Sequence, residues 1–166
     1  IAEIVSGVAR GCAKARTALV GGETAEHPQL LGENEFDIAG AATGVVEESK
    51  LLGAHRVQPG DVAIAIGSSG VHANGFSLVR HIIKSAQLKL EVQVPELSQT
   101  LGEALLAPTT IYSADLLDLI ADVEIHAMAH ITGGGLAANT ARVLPAPLSL
   151  TVDRSTWELP PLFAYL

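Results

Sequence analysis

The sequence holds one cysteine, Cys12, among 166 residues, which excludes an internal disulfide. Aromatic residues make up only 4% of it and charged residues 17%. The net charge is −8, so basic side chains are too few for the broad positive surface of a nucleic-acid binder. No uninterrupted apolar run approaches the roughly 20 residues of a membrane span, and no signal peptide is visible. No glycine is followed by Lys-Ser or Lys-Thr, so the lysine-bearing nucleotide loop is not among these residues. The expectation is a protein of the reducing cytoplasm with neither nucleic acid nor membrane as partner.

Hydrophobic residues supply 48% of the chain, enough for a globular core. Ile1, Ile4, Val5, Val8, Cys12 and Ala15 follow the spacing of one helix face, predicting a helix over residues 1–16. Cys12 falls on that face, where packing is its expected role. A chain that opens inside such a pattern without a cap is expected to be a piece of a longer protein. Strands are predicted at 17–20, 36–46, 61–66 and 148–152, with extended chain at 89–97 and 123–131. Helices are predicted at 76–88, at 112–121, at 136–144 and after Pro160-Pro161, with a short one capped by Ser98. Pro59-Gly60 marks a turn, and the domain boundary is placed in the connection 51–60. Alternating strands and helices predict an α/β architecture with mixed sheets.

Two junctions carry the chemistry. Residues 68–77, Ser-Ser-Gly-Val-His-Ala-Asn-Gly-Phe-Ser, run from a predicted strand into a predicted helix. Ser68, Ser69, Gly70, His72 and Asn74 offer several donors within a few residues. His72 can donate to a phosphate, act as a general acid or base, or simply brace the loop. Gly67, Gly70 and Gly75 do not have the dinucleotide-binding spacing. The second junction is Thr132, Gly133, Gly134 and Gly135, ahead of a short helix. Glycine there is expected to permit positive φ and close approach of an anion to backbone N–H groups. Two such loops point to a protein that holds phosphate.

A third candidate region follows the strand at 17–20. Gly22, Glu23 and Thr24 stand at its end, where α/β proteins build sites, and Asp37 is placed to face the same region. Glu23 can hold Mg²⁺ or a sugar hydroxyl, or be a solvated loop carboxylate. His27, His55, His81 and His126 have no spacing that suggests a shared metal ion. His130 either orients the Thr132 loop or packs, and Arg80, Arg142 and Arg154 are expected to be surface charges.

Five motifs in order resemble one family. They are Gly-Gly-Glu-Thr-Ala-Glu-His-Pro at 21–28, Asp-Ile-Ala-Gly-Ala-Ala-Thr-Gly-Val-Val-Glu at 37–47 and Ser-Ser-Gly-Val-His-Ala-Asn-Gly-Phe-Ser-Leu-Val-Arg at 68–80. Leu-Ala-Pro-Thr-Thr-Ile-Tyr at 106–112 and His-Ile-Thr-Gly-Gly-Gly-Leu with Arg-Val-Leu-Pro within 130–145 complete the set. Together they resemble the phosphoribosylformylglycinamidine cyclo-ligases, also called aminoimidazole ribonucleotide synthetases. Each motif alone is weak; five in register are specific.

The resemblance implies a homodimer that uses ATP and Mg²⁺ to close a ring on a small phosphoribosyl substrate in purine biosynthesis. Residues 1–50 would end an ATP-binding N-terminal domain, and 51–166 would form most of a C-terminal domain. His72 would be catalytic. Ser68, Ser69, Gly70, Asn74 and Thr132 to Gly135 would bind substrate, and Gly22, Glu23, Thr24 and Asp37 would support the nucleotide site. The family's lysine-bearing ATP loop and Mg²⁺-binding aspartates precede these motifs, so the chain alone is expected to be inactive. His27, Gln29, Ala73 and Thr110 depart from the residues common in the family. The alternatives are a related synthetase, of the formylglycinamidine ribonucleotide synthetase or selenophosphate synthetase type, and a non-catalytic binding or dimerisation piece.

Overall fold

The computed structural model describes all residues, Ile1–Leu166. Helix α1 spans Ala2–Lys14, with Glu3 in its first turn and Lys14 in its last, each matching the helix dipole. Helix α2, Phe76–Ser85, starts after Gly75, whose φ of +100° a side chain would resist. The strands β1, Gln93–Val94, and β2, Gln99–Thr100, form a two-stranded antiparallel hairpin around a 3₁₀ turn at Pro95–Leu97. Helices α3, Leu101–Leu105, α4, Ser113–Asp122, α5, Gly135–Ala141, and α6, Pro161–Tyr165, complete the order.

The predicted helices α1, α2, α4 and α6 are present within a few residues of their expected bounds. Two details differ. Ser98 does not cap α3; it lies at φ +54°, closing the 3₁₀ turn. Thr100 is the cap: its hydroxyl accepts from the Glu103 N–H, and Glu103 accepts from the Thr100 N–H. That reciprocal pair needs a glutamate three residues on, which Ser98 lacks. Helix α5 stops at Ala141 rather than 144, and its end tightens into a turn in which the Val143 N–H donates to the Thr140 carbonyl.

The predicted strands at 17–20, 36–46, 61–66 and 148–152 are not in a sheet. The sheet present is the β1–β2 hairpin, so helices mix with a small sheet rather than with larger mixed sheets. A strand exists only when a neighbour completes its ladder, and these segments have none. Their side chains stand in solvent: Val20 is 93% exposed, Val45 97% and Ile64 86%. The accessible surface is 13538 Å², against about 7,800 Å² for a folded chain of 17.2 kDa.

The buried apolar cluster is Val94, Leu101, Ala104 and Leu162, with Val71, Ile83, Leu88, Leu97, Leu105 and Leu166 packed around it. It joins the hairpin, α3 and α6 and underlies the loop after residue 67. Gly102 lets the Leu90 carbonyl approach: its N–H donates to that oxygen at 2.8 Å, and a Cβ would sit 3.1 Å from it. Elsewhere the C-terminal end of α1 approaches the 111–118 segment. Arg16 donates through both guanidinium nitrogens to Asp118, at 2.6 and 2.7 Å, and Gly11 faces Ile111. Neither half of that ion pair was a candidate from sequence.

Candidate active site

The 68–75 loop has the structure of a site. His72 adopts φ +58°, in the left-handed region that non-glycine residues seldom occupy and that is frequent at functional loops. The half-buried His72 ring turns back on its own loop. Its Nε2 accepts from the Ser69 N–H at 2.9 Å and lies 2.8 Å from the Ser69 hydroxyl. That hydroxyl also reaches the Pro108 carbonyl at 2.7 Å. Tyr112 donates its hydroxyl to the Gly67 carbonyl at 2.6 Å, and its ring centroid is 6.2 Å from that of His72. The segment 106–112, one of the five motifs, therefore braces the start of the loop, at Gly67 and Ser69.

Ser68, Ser69 and Gly70 line a cleft of about 240 Å³. Its other walls come from Glu96, Leu97 and Gln99 beside the hairpin, and from Pro160 to Phe163 at α6. His72 and Asn74 do not line it. A Cβ on Gly70 would meet Ala107 and Leu162 only at ordinary contact distance, so Gly70 needs no special space.

The Thr132–Gly135 turn differs in detail from expectation. Gly134 has φ −76°, and the left-handed residue is Gly135, at +66°. Gly134 is instead constrained by space: a Cβ would lie 3.0 Å from Ala138 and 3.1 Å from Asn139. Asn139 is the organiser that sequence reasoning missed. It is buried, accepts from the Thr132 hydroxyl at 3.1 Å and donates to the Gly135 carbonyl at 2.8 Å. An asparagine inside a short helix of small apolar residues was the available signal. With its proton committed to Asn139, the Thr132 hydroxyl has lone pairs rather than a donor to offer. The amides of Gly133 and Gly134 donate to no backbone carbonyl. This turn lines no part of the cleft at Ser68.

Gly22, Glu23, Thr24 and Asp37 are exposed and are not drawn together. Asp37 accepts from the Ile38 N–H. No three His, Cys, Asp or Glu side chains gather to hold a metal ion. Glu23 and Asp37 thus do not form a Mg²⁺ centre by themselves.

A second titratable cluster escaped the sequence because its members are far apart in the chain. His126 Nδ1 and Asp61 are 2.7 Å apart, Asp61 accepts from the Gln58 N–H, and Glu124 lies 3.5 Å from His126 Nε2. Arg56 approaches Glu124 at 3.9 Å. The Gly53 N–H donates to the His126 carbonyl. The Gln58 N–H first, and then His126, hold the Asp61 carboxyl below its ordinary 3.8. The Asp61 hydrogen bond holds the His126 imidazole above its ordinary 6.5. The His126 contribution to stability is therefore complete below 6.5 and lost as pH rises through the raised value. The Asp61 contribution is complete above 3.8 and lost as pH falls through the lowered one. Protection of the Gly53 amide, corrected for intrinsic exchange, is expected to peak between these limits and to fall as pH climbs past 6.5. Flat protection between about pH 5.5 and 8.5 would discount the clasp.

Comparison with known proteins agrees with the five motifs. The model described as AIR synthase related protein, C-terminal domain, matches residues 58–166, and that of the N-terminal domain matches residues 1–46. Proteins named phosphoribosylformylglycinamidine cyclo-ligase align along nearly the whole chain. The one from Paraburkholderia phymatum is 50% identical over 165 residues, covering 99% of this chain and 46% of its own length. That from Pseudothermotoga lettingae is 48% identical, covering 98% of this chain and 48% of its own. The Nitrosococcus oceani protein is 51% identical, with 99% and 46% covered. The chain spans about half the length of these relatives. Matched over most of its residues by the C-terminal model and over its first residues by the N-terminal one, the chain belongs to the AIR synthase related protein family.

Proposed function

We propose that the chain contributes the substrate side of an ATP-dependent cyclo-ligase that converts formylglycinamidine ribonucleotide to aminoimidazole ribonucleotide. The observation that carries this reading is the His72 loop, which is donor-rich, left-handed at His72 and braced by the 106–112 motif. The relatives' shared name supports the reaction.

In that reaction ATP transfers its γ-phosphoryl group to the formyl-derived amide oxygen, and ADP leaves. An internal nitrogen then attacks the activated carbon. The carbon–oxygen bond breaks, inorganic phosphate departs and the imidazole closes. Positioning and charge stabilisation do most of the work in phosphoryl transfer. His72 is assigned to the reacting atoms. Ser68, Ser69, Gly70 and Asn74 are assigned to the substrate, and the Gly133 and Gly134 amides, beside Thr132 and Gly135, to its 5′-phosphate. Gly22, Glu23, Thr24 and Asp37 are assigned to the nucleotide side. We place residues 1–50 in the ATP-binding domain and 51–166 in the C-terminal domain of a cytoplasmic homodimer. No helix is long and apolar enough to cross a membrane.

A protein of the relatives' full length that contains this chain is expected to form aminoimidazole ribonucleotide with one ADP and one phosphate per ring. The chain alone is expected to give no turnover with ATP and Mg²⁺. ATP consumption without ring formation would overturn the reaction assigned. Turnover by the chain alone would overturn the placing of the nucleotide loop outside it.

A further inference from the structure

We propose that Tyr112 and Ser69 are positioning residues that fix the tautomer of His72, so that the imidazole presents Nδ1–H as a hydrogen-bond donor. The inference rests on the assignment of His72 to the reacting atoms and says which of its nitrogens faces them.

The argument starts from a fixed donor. The Ser69 amide hydrogen cannot rotate away, and it points at His72 Nε2 from 2.9 Å. A nitrogen that accepts from an N–H carries no proton of its own, so the neutral ring has its proton on Nδ1. The Ser69 hydroxyl has one proton and two acceptors, Nε2 at 2.8 Å and the Pro108 carbonyl at 2.7 Å. Shared between the two, that proton keeps Nε2 an acceptor, whereas given to Pro108 alone it would set an oxygen lone pair against Nε2 and favour Nε2–H; the fixed Ser69 amide selects the first arrangement. Both sides of the serine thus occupy Nε2, and Nδ1 is the nitrogen left for anything outside the loop.

The fixed donor is useful only while the loop keeps its shape. His72 at φ +58° is held against the backbone preference of a non-glycine residue. Two hydrogen bonds to the 108–112 segment do that work: Ser69 to the Pro108 carbonyl, and Tyr112 to the Gly67 carbonyl. The Tyr112 bond ties down the residue at the base of the loop, two positions before Ser69. The tilted Tyr112 ring, at 49° to the imidazole, stands close to His72 as well. The tyrosine of the 106–112 motif therefore acts on His72 through the loop backbone. An Nδ1–H donor suits an oxygen that gains negative charge as phosphate departs, or the departing phosphate itself. In this tautomer His72 enters the reaction as a donor, not as a base.

The test uses a protein of the relatives' full length, labelled with ¹⁵N at histidine. In the parent, the neutral His72 ring is expected to show a protonated Nδ1 and an unprotonated Nε2. Tyr112→Phe keeps the ring and removes the one hydroxyl. It is expected to shift His72 toward the Nε2–H form that an unconstrained imidazole favours. It should lower kcat by on the order of 10- to 10²-fold, with KM within about twofold, because the group is misplaced rather than lost. Ser69→Ala, which cuts the Pro108 bond instead, is expected to move the same ¹⁵N signals the same way. A parent spectrum with Nε2 protonated overturns the proposal. So does a Tyr112→Phe protein whose tautomer and kcat match the parent, or whose kcat loss only follows its folded fraction. If His72→Ala leaves turnover intact, the catalytic assignment fails, while the ¹⁵N shifts still decide whether the latch sets the tautomer.

Discussion

His72→Ala, in a protein of the relatives' full length that contains this chain, is expected to lower turnover by on the order of 10²- to 10⁴-fold. The folded state should survive, because the ring is half-buried and lies outside the apolar cluster. The backbone complicates a single substitution. Alanine at φ +58° has no side chain suited to that conformation, so part of any loss could come from the loop. His72→Asn resolves this, since asparagine visits the left-handed region more readily and has no imidazole. A similar loss of kcat in both variants, with unfolding midpoints near the parent's, assigns the effect to the ring. Parent-like kinetics in both, with a lowered midpoint, would make His72 a brace.

Leu101→Ala is expected to cost about 2–5 kcal/mol of stability. Leu101 is fully buried between Val94, Ala104 and Leu162, and only 6 of the 166 residues are buried at all. One cluster therefore carries most of the apolar packing, so a cavity there removes a large share of a net stability of about 5–15 kcal/mol. The cost should extend to the cleft, because Leu162 both belongs to the cluster with Leu101 and lines the cleft that Ser69 lines. Val45→Ala, at a position 97% exposed, is the control and should change stability by less than about 0.5 kcal/mol. Urea unfolding of both variants checks this. Equal midpoints for the two would show that the cluster is not what holds the chain together.

The sequence revealed what depends on near neighbours. The apolar spacing of α1 and the Gly75 start of α2 are local, and both are present. So is the donor-rich run from Ser68 to Asn74. The Thr100–Glu103 capping box is equally local, and the glutamate at the third position is the signal that separates Thr100 from the expected cap, Ser98. Long separations hid the rest. Tyr112 lies 45 residues from Gly67, His126 lies 65 from Asp61 and Asp118 lies 102 from Arg16. No periodicity reports such pairs. The strand predictions at 17–20 and 61–66 had the right apolar content but could not name a partner, and a ladder depends on one.

The free segments have a practical side. Val62, Ile64 and Ile66 alternate along one exposed run, with unpaired N–H and C=O groups beside them. Such an edge is adhesive, a template on which another copy can add. What opposes it is charge: at −8, copies repel one another before their edges meet. That protection vanishes at the isoelectric point, near pH 5.1. Mild acid is thus the condition under which this chain is most exposed to β-aggregation.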